Sequence, residues 1–299
     1  MEFIAIYVLS VCILSCFSQP QRKNILFLAV DDLRPELNAF KGEDFPSGIH
    51  PKIHTPNIDG LFAKSLSLKR AYVQQAICSP SRTSLLTGRR PDTTHVYDLK
   101  TYWRTSGGNF TTIPQYFKQN GYRSIGMGKI FHPGKASNGN DPISWSVPYF
   151  NAKKSHKYWQ SRNVSWRAVD KEARKKNPLT DDVITKHALK TLQNLTRDGT
   201  IKPEDPFFLA VGLHKPHLPF LFHEKFLKYY PEDEIRLPDN DYAPVNMPDV
   251  AWSDYGELRR YDDILKLNAT GQINSTLPSW KVKELRRAYY WCVNTGSGN

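Results

Sequence analysis

Two short apolar runs, each ending in side chains with chemistry, frame this chain. NILFLAV at residues 24–30 runs into Asp31 and Asp32, and PFFLAVG at 206–212 runs into Leu213 and His214. Apolar runs of this length, without alternation, predict buried strands of a parallel sheet. Open α/β sheets take their ligands beyond the C-terminal ends of such strands, so these acids and this histidine are the first candidates for a site. Residues 122–127 predict another strand, with Gly126 and Gly128 opening the turn after it. Helical spacing predicts helices over 57–68 and 113–120, and an amphipathic helix over 279–291 with Val282, Leu285, Tyr289 and Cys292 on one face. The Pro-rich stretch 231–254 predicts a long surface excursion. Strands alternating with helices predict an α/β domain with a largely parallel central sheet.

The first 18 residues, MEFIAIYVLSVCILSCFS, form one apolar stretch without Lys or Arg, ending in small residues. It is too short to span a bilayer comfortably and reads as a cleaved signal peptide, with residues 19–291 as the folded unit and 292–299 as a divergent tail. Cys12 and Cys16 leave with that peptide, so the mature chain keeps Cys78 and Cys292. Five Asn-x-Ser/Thr sequons, at Asn109, Asn163, Asn194, Asn268 and Asn274, fit passage through the secretory pathway. No later segment is apolar enough to cross a membrane.

Charge narrows the partners. The formal net charge is +12, and loss of the first 18 residues removes only Glu2, leaving +13. Anionic partners are therefore favoured. The densest basic run, Lys153 to Lys176, interleaves Arg162, Arg167, Lys171, Arg174 and Lys175 with Tyr158, Trp159 and Trp166. A solvated loop is one reading of this run; as a binding surface, with no nucleic-acid motif beside it in a chain that reads as exported, a sulfated polysaccharide is the better partner. Arg34 and Arg104 are further candidates for a polyanion, on charge alone.

The chemistry concentrates at residues 78–89, CSPSRTSLLTGR. Ser79, Pro80 and Ser81 suit a helix entrance and Gly88 suits its exit, so Cys78 falls at a helix N-terminus, where unpaired N–H groups favour an anion. Arg82 adds a planar fork of donors one turn on. Asp31 and Asp32 suit a hard cation, because paired carboxylates repel unless a positive charge lies nearby. Lys129 and His132, in GKIFHPG, follow a glycine turn and both can aim at one anion. A zinc site at His214 and His217 is disfavoured, since Lys215 and Pro216 between them break helical geometry.

Cys78, Pro80, Ser81 and Arg82, followed by Leu86, Thr87, Gly88 and Arg89, resemble the signature of the type I sulfatases. The resemblance implies an alkaline-phosphatase-like α/β fold. It also implies oxidation of Cys78 to formylglycine by the formylglycine-generating enzyme, one calcium ion held by Asp31, Asp32 and residue 78, and contacts to sulfate from Arg82, Lys129, His132 and His214. FLAVDDLRPELNAF, GKIFHP and FFLAVGLHKPHLPF are similar to the branch that removes the 2-O-sulfate from iduronate in heparan and dermatan sulfate, which implies a lysosomal hydrolase, or a secreted one. That branch carries a second Asp-His metal pair, a further lysine and a smaller subdomain that do not occur in this sequence. Three expectations therefore stand: a sulfatase whose second metal pair lies beyond the 299 residues, a catalytically inactive basic protein that binds sulfated glycans, and a phosphoesterase of the same superfamily. The last is disfavoured, because those enzymes use Ser or Thr where this chain has Cys78.

Overall fold

The computed structural model describes residues 22–40, 51–152, 162–197, 206–273 and 275–296. The expected signal peptide with Cys12 and Cys16, the sequon at Asn274, the first part of the basic run and residues 297–299 lie outside them. Strand β1 is Ile25–Val30, helix α1 Pro56–Phe62, α2 Cys78–Thr87 and α3 Ile113–Gln119. Strands β2 (Arg123–Gly128) and β3 (Trp166–Val169), helix α4 (Thr180–Arg197), strands β4 (Phe207–Leu213) and β5 (Phe220–His223) and helix α5 (Ser279–Gly296) follow.

The central sheet has the order β1-β4-β2 and both pairings are parallel, as the apolar runs predict. Its middle strand, β4, is buried from Phe207 to Gly212, which explains why that run shows no alternation. Phe208 and Ala210 join Leu86, Trp103, Phe131 and Trp145 on one face, beneath α2 and α3. Phe207, Leu209 and Val211 face Ile184, Ala188 and Leu195 of α4 on the other. The chain is thus an α/β domain in three layers. At the edge of the sheet, β1 points Phe27 into the core but leaves Leu26 and Leu28 about half exposed, at 49% and 54%.

Two glycines are fixed by the close approach of strand ends. Gly128 has φ +74°, and a Cβ there would stand 2.0 Å from the Gly212 carbonyl oxygen. Gly212 in turn has no room for a Cβ beside the backbone of Lys129. The turn after β2 is therefore pressed against the end of β4, and Lys129 N–H donates to the Gly212 carbonyl at 2.8 Å.

A second core gathers around the two-stranded parallel sheet of β3 and β5, where Phe222 and Phe226 pack with Tyr230, Ile235 and the end of α5. Here the sequence reading needs correction. α5 does not stop at residue 291: it continues to Gly296, and Trp291, Cys292, Val293 and Asn294 are all buried, so the expected divergent tail is in large part core helix. Of the predicted apolar stripe at 282, 285, 289 and 292 only Cys292 is buried, the other three being partly exposed, while Ala288 and Tyr290 are buried instead. α1 ends at Phe62, short of the predicted 68, and Leu66 and Leu68 are 89% and 71% exposed. Among the described residues neither leucine joins a core cluster. Residues 231–254 are the expected surface excursion, anchored by the buried Ile235.

Candidate active site

The C-terminal ends of β1, β2 and β4 meet the N-terminus of α2. Cys78 is the first residue of α2, after extended Ile77, and Gly88 closes the helix at φ +64° with its N–H on the Ser84 carbonyl, as the motif predicts. Ile77 has no side chain to cap the first turn, so the N–H groups at this end keep their capacity for an anion. Cys78 is a free, half-buried thiol.

Asp31 is the hub. Its N–H extends the ladder to the Leu213 carbonyl, and its side chain is 4% exposed between two cations. Arg82 Nη2 donates to Oδ1 at 2.6 Å, and Lys129 Nζ pairs with Oδ2. Arg82 Nη1 also donates to the carbonyls of Lys129 and Ile130, which ties α2 to the turn after β2. Tyr149 steadies the same turn, donating its hydroxyl to the Gly128 carbonyl at 2.8 Å. Burial raises the pKa of Asp31, but the Arg82 and Lys129 charges outweigh that and hold it down at about 2. Two buried cations against one carboxylate leave this centre net positive, which favours a tetrahedral dianion.

Cys78 Sγ lies 3.9 Å from Asp31 Oδ1 and accepts from Lys129 Nζ at 3.4 Å. Burial pushes its thiol pKa up, Asp31 and Asp32 add to that, and Lys129 opposes it. A thiol held in its neutral form is a poor sulfur nucleophile, so the position suits a residue whose chemistry is not that of a thiolate.

The predicted site residues separate into those the fold joins and those it does not. Asp31, Cys78, Arg82 and Lys129 form one network. Asp32 is the more open of the two acids: at φ 57° its side chain is 51% exposed, and its backbone carbonyl accepts from the Tyr289 hydroxyl of α5 at 2.9 Å. Asp31 is buried between Arg82 and Lys129, and Asp32 reaches the site through His217, whose Nε2 lies 3.9 Å from its Oδ2. His132 follows Lys129 on the same turn with its carbonyl held by Ser137 Oγ at 2.6 Å, and its ring is not among the hydrogen-bond partners of Cys78 or Asp31. His214 sits at the end of β4, 8% exposed, its N–H on Asp181. Burial draws its pKa down, with Lys129 and Lys215 acting in the same direction and Asp181 opposing.

Three further participants join the site: His217, which the sequence reading weighed only as a disfavoured zinc ligand, Lys215, and Asp181, which it did not single out. His217 Nε2 lies 3.9 Å from Asp32 Oδ2 and 3.7 Å from Glu257 Oε1. Lys215, almost fully buried, staples the β4–β5 loop by donating to the His217 and Pro219 carbonyls at 2.8 and 2.6 Å. Asp181, at the start of α4, holds the other side of that loop. The only advance signal was an acidic pair in a helix's first turn, which ordinarily marks a cap.

Among the described residues, donor atoms of Asp31, Cys78 and His217 come within 4.8 Å of one another. Asp31 offers the hard oxygens calcium requires, with the Asp32 carboxylate next to His217, and an oxygen in place of the Cys78 sulfur would suit calcium better still. Calcium takes about six to eight oxygens, so these residues fit as one side of its shell.

Arg104 is a correction. Instead of waiting for a polyanion it is buried, with Nε 2.7 Å from Oδ1 of Asp141 and its other nitrogens on Asn109, Phe110 and Gln115. Arg34 stays exposed but pairs with Glu36 at 2.7 Å. Within the described part of the basic run, Arg174 pairs with Asp182 and Lys175 with Glu172. Asn109, Asn163, Asn194 and Asn268 are all exposed.

A parallel α/β sheet that delivers an acid, a lysine and a histidine to a cysteine-headed helix defines a class, and comparison with known proteins agrees: the sulfatase family model matches residues 23–286, and the chain belongs to that family. Iduronate 2-sulfatase of Mus musculus is 38% identical over 283 residues, covering 91% of this chain and 49% of the relative. Iduronate 2-sulfatase of Homo sapiens is 38% identical over 285 residues, again 91% and 49%. The chain spans about half the length of these curated relatives. Among solved structures, a phosphonate monoester hydrolase of Agrobacterium radiobacter matches with TM-score 0.56 at 18% identity, over 92% of this chain and 57% of the other. A putative sulfatase from Bacteroides fragilis matches with TM-score 0.54 at 14% identity, over 94% and 57%. These likenesses place the fold among the alkaline-phosphatase-like sulfatases.

Proposed function

We propose that this chain carries the nucleophile half of a sulfuric ester hydrolase acting on sulfated glycosaminoglycans, with the 2-O-sulfate of iduronate in heparan and dermatan sulfate as the preferred ester. The observation that carries the proposal is the buried network of Asp31, Arg82 and Lys129 around Cys78. Oxidation of Cys78 by the formylglycine-generating enzyme would put a hydrated aldehyde at the helix N-terminus, whose hydroxyl supplies the nucleophile toward sulfur. Calcium held by Asp31, Asp32 and residue 78 would add positive charge beside the sulfate oxygens.

The chain's own residues do the rest. Arg82, locked by carbonyls and Asp31, presents a positive charge fixed in place. Lys129 bridges Asp31 and position 78, so its ammonium can neutralise charge gathering on either a nucleophile oxygen or a sulfate oxygen. His214, neutral when the site is empty, suits proton exchange with the departing sugar oxygen, and His132 suits proton transfer at residue 78. The β4–β5 loop, clamped by Lys215 and Asp181, keeps His214 in place without help from substrate.

The sequons and the apolar leader support a route through the secretory pathway to the lysosome, or out of the cell. The test is release of inorganic sulfate from a 2-sulfated iduronate disaccharide, with Cys78→Ala as the control. We expect the variant to keep its thermal unfolding and lose all turnover; sulfate release that survives Cys78→Ala would refute the mechanism. A second reading, a basic glycan binder without turnover, is favoured by the +12 net charge and by a cation-rich centre that needs no chemistry to hold sulfate. It predicts salt-sensitive heparin retention and no sulfate release under any condition.

A further inference from the structure

The β4–β5 loop carries His214, Lys215 and His217, and the acids that begin α4 hold the start of the loop and the end of β5. Asp182 pairs with His223 Nε2 at 2.9 Å, at the far end of β5, and shares its carboxylate with Arg174. Asp181 takes the near end. Its side chain is 9% exposed, and it accepts from the N–H of His214 at 2.9 and 3.1 Å and from the N–H of Lys215 at 2.8 Å. Those backbone donors alone would explain a loop clamp. The same Oδ1 also lies 3.4 Å from His214 Nδ1, a contact that clamping the backbone does not require.

We propose that Asp181 is a positioning residue for His214, holding the imidazole with its proton on Nδ1 so that Nε2 is the nitrogen that serves the sulfate ester. This rests on the sulfatase reading for what Nε2 does, but not for how the ring is held. A neutral imidazole carries its single ring proton on one nitrogen or the other, and a carboxylate beside one of them selects it. Carboxylate–imidazole pairs elsewhere fix a histidine's tautomer in this way. Two ammonium groups, Lys129 and Lys215, disfavour the doubly protonated ring, and Asp181 is the anion that acts on it from the other side. The ring is then both neutral and oriented, with Nε2 bare and able to take up the proton that it would afterwards pass to the departing oxygen.

The experiment is a long-range proton–nitrogen spectrum of the histidine side chains in the full 15N-labelled chain at about pH 8, above the ordinary histidine range. His214→Gln identifies the His214 signals. In the unaltered protein His214 should show the Nδ1–H pattern; an Nε2–H pattern would overturn the proposal without any variant at Asp181. Asp181→Asn should lose the Nδ1–H preference, whereas Asp182→Asn, which frees the end of β5 rather than the start of the loop, should retain it. Retention in Asp181→Asn, or equal loss in both variants, would reduce Asp181 to a loop clamp. The sulfatase reading fails on a different readout, the absence of sulfate release, and a His214 held as Nδ1–H in such a protein would leave the positioning intact.

Discussion

Replacing Asp31 by Asn tests the charge arrangement at the centre of the site. In the native chain one carboxylate, 4% exposed, answers two cations whose side chains are 9% and 6% exposed. Its pKa falls from 3.8 to about 2, so the ionised form is favoured in the folded state. At about 1.4 kcal/mol per pKa unit this is worth about 2 kcal/mol. The variant also leaves two buried cations without their anion, a change that typically costs about 3–5 kcal/mol. Chemical denaturation at neutral pH should therefore show a loss of about 2–5 kcal/mol, and thermal unfolding a fall of about 5–15 °C. The pH dependence is the sharper check. A carboxyl whose folded pKa is depressed contributes stability that is complete above its unfolded value of 3.8 and disappears as the pH falls toward about 2. The gap between the native chain and Asp31→Asn should thus be constant from neutral pH to about 4 and shrink between about 4 and 2. An unchanged stability at neutral pH, or a gap that persists to pH 2, would refute the buried triad.

Other substitutions separate architecture from chemistry. Gly128→Ala should destabilise by about 2–4 kcal/mol, because it strains a positive φ and forces a Cβ onto the Gly212 carbonyl; Gly134→Ala, at φ +79° with open space around it, should cost only about 1 kcal/mol. Equal effects in denaturant titrations would argue against the close approach of β2 and β4. Arg104→Met should cost about 3–5 kcal/mol by leaving the buried Asp141 carboxylate unpaired, with no change in heparin retention per folded molecule. Weaker retention would return Arg104 to the polyanion surface. If calcium completes the site, a chelator should lower sulfate release and excess calcium should restore it, while Asp32→Ala should blunt both responses and leave folding intact.

Much of this fold could be read directly from residue order. β4 is a buried parallel strand and advertises itself as an unbroken apolar run, whereas β1, with the same kind of run, lies at the edge with Leu26 and Leu28 half exposed; the acids and the histidine that follow mark where the sheet delivers its chemistry. Cys78 and Gly88 bracket a helix because serine, proline and glycine have strong positional preferences at helix ends. Contacts between distant residues were not legible in this way. Arg82 and Asp31 are 51 positions apart and Lys129 and Asp31 are 98 apart, and no periodicity connects them. Arg104 failed as a substrate contact for the same reason: charge alone cannot show that Asp141, 37 residues on, has already claimed it. Asp181 was not singled out at all, and only folding brings the β4–β5 loop to it. Tyr289 was read as one apolar position on a helical stripe, yet its hydroxyl donates to Asp32 and accepts from Arg34, fixing the loop beside the site.

The central claim is that Cys78 is the precursor of the nucleophile. It is tested most directly by mass analysis of the tryptic peptide of residues 71–82 from chain made in cells that contain the formylglycine-generating enzyme. The account predicts a peptide in which the thiol sulfur and two hydrogens have been exchanged for one oxygen, and which reacts with a hydrazide. A peptide that retains its sulfur and is alkylated in full as a free thiol would contradict it.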